Sequence, residues 1–220
     1  MKAYKVSSPE EWHAIRARVT TATEVCAILG LDPWTSVAKM LDEKANSTFT
    51  GNAYTWVGQA LELVVVKATN ELMSRDFKLF EDTGGKVIYA DFDVGLGATP
   101  DATDGTDLLE CKTTGTRNWY KWADWPPIKY LCQLQVQLIC TDSAVGYLSV
   151  MSTDLQQYGP VLDIKLSVFQ VSRSLQFEQG LKRELQKHNK CLAEGKVLRV
   201  DRKHSSLMAF ELLKSYKKVL

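Results

Sequence analysis

The sequence contains no Cys-x-x-Cys pair, and its five cysteines, Cys26, Cys111, Cys132, Cys140 and Cys191, are odd in number. A disulfide framework, a structural zinc site or an iron–sulfur cluster needs closely spaced thiols, so all three are argued against. Reduced, buried thiols in a cytoplasmic protein are the reading that remains. Charge of one sign is also lacking. The net charge of +1 gives no global basic field, which speaks against a nonspecific nucleic-acid coat but not against an enzyme with a local basic channel. The apolar runs fall far short of a membrane span. The opening residues Met-Lys-Ala-Tyr-Lys-Val lack the apolar core of a signal peptide. There is no repeat, no low-complexity tract and no linker. What is present is ordinary: 220 residues, 45% hydrophobic and 24% charged. A single domain over 1–220 with a substantial core is expected, carrying a helical C-terminal extension from about 174.

Local signals order the chain. Ser8-Pro9-Glu10-Glu11 starts a helix, with Trp12, Ile15 and Val19 on its apolar face. Thr21-Ala22-Thr23-Glu24 is a capping box for a short helix that Gly30 ends. Thr35 or Ser36 caps another helix through Val37, Met40 and Leu41. After a polar loop at 46–52, a long helix runs from about Tyr54 to Glu71, with Trp56, Leu61, Val64, Val65 and Ala68 as its expected buried stripe. Strand character at 76–80 leads to a Gly84-Gly85 turn. Three strands follow, at about 86–92, 95–103 and 107–114. The stretch 115–125 reads as irregular, and Pro126-Pro127 opens a helix to about Cys140. Strands at 144–151 and 161–171 precede an amphipathic helix over 174–194, with Phe177, Leu181, Leu185, His188 and Leu192 in one stripe. His188 reads as a packed core residue. A last helix begins at Ser205-Ser206, with Leu207, Phe210 and Leu213 expected inward. This order gives an α+β or mixed α/β fold.

The chemistry concentrates in Gly97 to Lys112. Asp104-Gly105 signals a hairpin. Alternation along a strand puts Glu110 and Lys112 on one face, Leu109 and Cys111 on the other. With a two-residue turn, Thr103 pairs with Thr106 and Asp101 sits diagonal to Glu110, roughly 7–8 Å away. Two carboxylates and a lysine are the parts for metal-assisted phosphodiester hydrolysis: hard oxygen ligands suit magnesium, and a lysine can orient water and stabilise developing charge. The same residue types also suit a solvated surface hairpin.

Thr-Pro-Asp101 followed by Glu110-Cys-Lys112 matches the PD-(D/E)XK nuclease signature. Thr21-Ala22-Thr23-Glu24-Val25, Gly58-Gln59-Ala60-Leu61-Glu62, Ile88-Tyr89-Ala90-Asp91 and Tyr130-Leu131-Cys132-Gln133-Leu134-Gln135 occur in the order and approximate spacing of one branch. Over roughly Arg16 to Met151 the sequence resembles the bacteriophage lambda exonuclease family, the YqaJ-like viral recombinases or alkaline exonucleases.

That resemblance implies a restriction-endonuclease-like core, a central mixed β-sheet flanked by helices. It implies that Asp101, Glu110 and the main-chain carbonyl of Cys111 bind Mg2+, with Mn2+ as an alternative and two ions in all. Glu62 would help to hold the second ion, Lys112 would position and activate water, and Gln133 would be the active-site glutamine. Tyr130, Gln133 and Gln137 share a helix face; a polar outer face is the alternative, above all for Gln137. Asp91 matches an acidic position and also suits a strand-end turn. Arg16, Thr23 and Thr99 match positions that grip a 5′-phosphate. Thr stands at both places where the compared family member has Ser. Arg117, with Trp119, Tyr120 and Trp122, could form a DNA-entrance loop or a packed cover of the core. The basic segment 182–203 could track phosphates or be a wet helix face.

The activity implied is 5′→3′ digestion of linear double-stranded DNA by a ring-shaped homotrimer. It would leave 3′ tails for a single-strand annealing protein, in the cytoplasm of a bacterial host of a phage or prophage, with no membrane partner. Alternatives are another PD-(D/E)XK nuclease, an endonuclease or single-strand nuclease, or a noncatalytic DNA-binding recombination scaffold.

Overall fold

The computed structural model describes residues 1–46, 53–80, 87–153, 156–158, 161–163 and 165–220. The polar loop after Asn46 and the Gly84-Gly85 turn fall outside them.

Strand β1 (Lys2–Lys5) leads into helix α1 (Pro9–Ala17), whose N-cap Ser8 accepts a hydrogen bond from the Glu11 N–H. Strand β2 (Thr20–Thr21) runs directly into α2 (Ala22–Ile28) through the reciprocal capping box of Thr21 and Glu24. Helix α3 (Val37–Asn46), started by Ser36, precedes the long α4 (Ala53–Met73). Then come β3 (Lys78–Leu79), β4 (Val87–Asp91), β5 (Leu96–Ala98), β6 (Ala102–Thr103) and β7 (Leu108–Thr114). Helix α5 (Thr116–Trp122) occupies the stretch expected to be irregular, with the Trp119 indole N–H donating to the Val150 carbonyl at 3.2 Å. Helix α6 (Ile128–Thr141) follows the double proline. The chain closes with β8 (Val145–Ser152), β9 (Gln156–Tyr158), β10 (Val161–Asp163), β11 (Leu166–Ser172), α7 (Leu175–Ala193), α8 (Arg202–Lys214) and β12 (Tyr216–Lys218).

The fold is mixed α/β. A central six-stranded sheet has the order β12-β11-β8-β7-β6-β3, antiparallel except for the parallel β7–β8 pair. A second sheet, β1-β4-β5-β2, is antiparallel except for β2–β5. Alternation on β7 sorts the central sheet into two faces. Leu109 and Cys111 pack with Val65 and Val66 of α4, and with Tyr147, Met151 and Val168. Leu108, Leu148, Val150, Phe169 and Val171 pack on α6, whose Leu131, Leu134 and Leu138 are fully buried. Each such leucine contributes roughly 1.5–3 kcal/mol by leaving water. Helices α7 and α8 join the same cluster through Phe177, Leu181, Leu185, Met208 and Leu212.

Two stripes differ from the expectation. On α4 Val65, Val66 and Thr69 are buried and Leu61 and Val64 pack against the same cluster as expected, while Trp56 is 61% exposed. The Thr69 hydroxyl instead meets that of Ser149 on β8 at 2.8 Å, a polar anchor between helix and sheet. On α8, which starts earlier at an Asp201 cap, Leu207, Phe210 and Leu213 are exposed and Met208 and Leu212 face inward. Gly180 on α7 leaves room for this packing. A Cβ there would lie 2.4 Å from the Met208 sulfur, so the missing side chain admits Met208 between α7 and α8.

Candidate active site

Three residues, Thr99-Pro100-Asp101, carry the chain from β5 in one sheet to β6 in the other. The strand expected over 95–103 breaks here because proline cannot donate to a β-ladder. Asp101 therefore stands where the two sheets meet.

The hairpin register is Thr103 opposite Leu108 and Ala102 opposite Leu109. Continued by one residue, it sets Asp101 directly across from Glu110. The turn is wider than two residues. Asp104 Oδ1 accepts from the N–H groups of Thr106 and Asp107 at 3.1 and 2.9 Å, and Gly105 takes φ +92°. The carboxylates are thus opposite each other, closer in register than the diagonal expected from a tight turn. The Cys111 N–H donates to Asp101 Oδ2 at 2.8 Å and holds that side chain in place.

Glu110 is fully buried. Its Oε1 accepts from Lys112 Nζ and from Gln133 Nε2, the latter at 2.5 Å, and its Oε2 accepts from Gln137 Nε2 at 2.6 Å. Burying a carboxylate costs several kcal/mol even after relaxation; three donors, one of them a cation, offset that cost. The solvated-hairpin alternative does not describe this face. Burial pushes the Asp101 carboxyl well above its usual range, and the neighbouring charges of Glu110 and Glu62 add to it, against Lys112 and the Cys111 N–H. Burial alone would lower the Lys112 ammonium, but Glu110 and Asp101 outweigh it and hold it above its ordinary value. Its Nζ also lies 5.3 Å from the centre of the Tyr130 ring.

A pocket of about 180 Å³ opens beside this cluster, reaching Asp101 directly and Glu110 through the glutamines bonded to it. Its walls include Trp12 and Arg16 of α1, Thr23 of α2, Glu62 of α4, Thr99, Asp101, and Gln133 and Gln137 of α6. The Arg16 guanidinium lies 4.3 Å from the Trp12 ring centre and forms no ion pair among the described residues. Burial lowers its pKa, partly offset by Glu24.

The donor set fits a hard divalent cation. Among the described residues, Asp101 Oδ1 accepts no hydrogen bond, Glu110 Oε2 accepts one, and carboxylate oxygens are the ligands such ions prefer. No three His, Cys, Asp or Glu side chains among the described residues already form a metal cage. Asp101 and Glu110 are a pair, with Glu62 on the same pocket wall.

The profile of the YqaJ-like viral recombinase domain matches residues 11–144, a span that contains every pocket residue named above. The chain belongs to this family. Similar solved structures cover nearly its whole length. The alkaline exonuclease LHK-Exo of Laribacter hongkongensis is 21% identical, with a TM-score of 0.60, covering 93% of this chain and 98% of that one. The same protein in complex with dAMP gives 20% identity and a TM-score of 0.59 over the same shares. A phage-related exonuclease of Haemophilus somnus 129PT shares 11% identity with a TM-score of 0.54, covering 92% and 98%. These likenesses show a common fold. No curated protein sequence matches the chain.

In this YqaJ-like chain the pocket does not gather every residue singled out above. Asp91 ends β4, where its Oδ1 accepts from the N–H groups of Asp93 and Val94, both at 3.1 Å, and it caps the turn into β5. Arg117 is exposed on α5 and outside the pocket lining. Gln137 takes the face it shares with Gln133, and the alternative of a polar outer face does not hold for it. It is fully buried and bonded to Glu110. Its i+4 spacing from Gln133 was the only signal for it. Burial lowers the His188 pKa, and all five cysteines are free thiols. No helix among the described residues is long and apolar enough to cross a membrane.

Proposed function

We propose that this chain is a divalent-metal-dependent exonuclease that digests one strand of linear double-stranded DNA from its 5′ end, releasing 5′-mononucleotides and leaving a 3′ tail. One observation carries the reading: Asp101 lines a pocket together with Arg16, Thr23 and Thr99, and the buried Glu110, bonded to Lys112, lies directly behind the pocket's Gln133 and Gln137. Asp101, Glu110 and the Cys111 carbonyl would hold Mg2+ or Mn2+, with Glu62 toward a second ion. The cation supplies Lewis acidity at the phosphoryl group and a more acidic water. Lys112, kept as an ammonium, orients the attacking water by N–H donation and offsets charge that develops on the phosphate. Gln133 fixes the Glu110 carboxylate from α6. Arg16, stacked on Trp12, provides fork-shaped donors for a terminal phosphate, and the Thr23 and Thr99 hydroxyls add to them.

The family and its exonuclease neighbours support placing this activity in phage-type recombination. One catalytic domain over 1–220, with α7 and α8 as its C-terminal extension, assembles as a ring-shaped trimer in the host cytoplasm. It passes its tails to a single-strand annealing protein. A ring needs a positive inner channel only, in keeping with the net charge of +1.

The test is a gel assay on linear duplex with each strand end-labelled in turn, with and without Mg2+. Loss of 5′ label first, on linear but not covalently closed DNA, and abolition by EDTA are expected. Nicking of the closed circle would replace the reading with an endonuclease. Arg16→Ala should slow digestion of 5′-phosphorylated ends about 10–100-fold, on the scale of a lost charge-assisted phosphate contact. Ends bearing a 5′-hydroxyl should be nearly unaffected.

A further inference from the structure

Helix α6 carries three glutamines with different tasks. Gln133 reaches Glu110 Oε1, and Gln135 is bonded away from the pocket, its Nε2 to the Ser172 carbonyl at 2.6 Å and its Oε1 to the Ser174 N–H at 3.0 Å. Gln137 spans two parts of the site. Its Nε2 donates to Glu110 Oε2 at 2.6 Å and, more weakly, to the Thr99 carbonyl at 3.4 Å. Both partners are acceptors, which settles which end of the amide is the nitrogen. The Oε1 is then an acceptor. It is buried, has no partner among the described residues, and belongs to a side chain that lines the pocket. A buried amide oxygen left unpaired costs roughly 1–3 kcal/mol. Gln135, equally buried, leaves no such atom. A glutamine held at that cost beside a carboxylate serves something other than packing.

We infer that Gln137 is a positioning residue for metal binding: it fixes the Glu110 oxygen opposite the one held by Lys112 and ties it to the backbone at Thr99, with its Oε1 available to a water of the ion. The inference rests on the proposed function for its setting. Its test does not need turnover.

Mn2+ is titrated into the full-length protein and free ion is followed by electron paramagnetic resonance, for wild type, Gln137→Met and Gln135→Met. Methionine conserves volume and flexibility while removing both amide atoms. Expected are an apparent Kd at least tenfold weaker in Gln137→Met and unchanged ion affinity in Gln135→Met, which loses thermal stability instead. If Gln137→Met does not fold, Gln137→Asn, too short to reach Glu110, is read in the same way. Wild-type affinity in the Gln137 variant, or equal losses in both variants, would overturn the assignment. If wild type binds Mn2+ but digests no DNA, the function reading fails while the Gln137 comparison still decides this one.

Discussion

The β6–β7 hairpin holds an acidic pair at each end. Toward the turn, Asp104 and Asp107 converge on Arg75, which bonds to Asp104 and, at 2.5 Å, to Asp107. The Arg75 side chain is 28% exposed, and the guanidinium lies 5.1 Å from the ring centres of both Phe77 and Tyr147. Toward the sheet junction, Lys112 bonds to Glu110 alone, with Asp101 within reach of its charge, and Glu110 has no exposure at all. Residue types are nearly the same, yet the electrostatics differ in sign. At the turn, burial works against the Asp104 charge, but the N–H groups of Asp107 and Thr106 and the Arg75 cation outweigh it and hold its carboxyl below the usual range. At the junction the Asp101 carboxyl is pushed up. One pair is satisfied by the protein itself and serves stability. The other has one cation too, but Asp101 sits buried beside a second carboxylate with one oxygen unbonded among the described residues, a place that a further cation could complete.

The contrast can be broken most decisively at Asp101. Asp101→Asn keeps an oxygen for the Cys111 N–H and removes a buried like charge. Nuclease rate should fall on the order of 10³-fold or more, the equivalent of the several kcal/mol a metal site supplies. The thermal midpoint should hold or rise. A large drop in stability would put this pair in the same class as the one at the turn. Next in size is Arg75→Met, which strands two carboxylates where water still reaches them. It should cost about 1–2 kcal/mol in denaturant melts and leave the rate per folded molecule unchanged. The smallest effect is on pH dependence. Because the folded Asp104 pKa lies below its unfolded value of about 3.9, its stabilisation is complete above that pH and is lost as pH falls through the folded pKa. Melts of wild type and Arg75→Met from pH 5 to 2.5 should therefore converge at the acid end; a gap that stays constant would remove Asp104 from the account.

Much of this was legible in local chemistry. The caps at Ser8 and Thr21, the helix after Pro127 and the alternation of Leu109, Glu110, Cys111 and Lys112 all act within a few residues, and the structure reproduces them. What local chemistry could not supply was decided by contacts far apart in sequence. Helix α8 has apolar residues on two sides, and packing against α6 and α7, where Gly180 leaves room for Met208, turns Met208 and Leu212 inward and leaves Leu207 and Phe210 out. Trp56 matches a helical stripe, yet the cluster beneath α4 takes in the helix only from about Leu61 onward. The register at Asp101 depends on a turn that Asp104 widens through its own side chain. Helical spacing puts Gln137 on the face of Gln133, but only the packing of α6 on the sheet turns that face toward Glu110 instead of solvent.

Under the proposed function, the step at Thr99-Pro100-Asp101 would also act as a measuring device. Thr99 lies on the pocket wall and Asp101 on its floor, and two residues of chain span at most about 7 Å. Pro100 stiffens that span by fixing its own φ. If a strand end is anchored at the wall and cut at the floor, the length removed in each cycle is written into the backbone as a fixed gauge. A longer bridge between the two sheets would change the size of the product before it changed the chemistry.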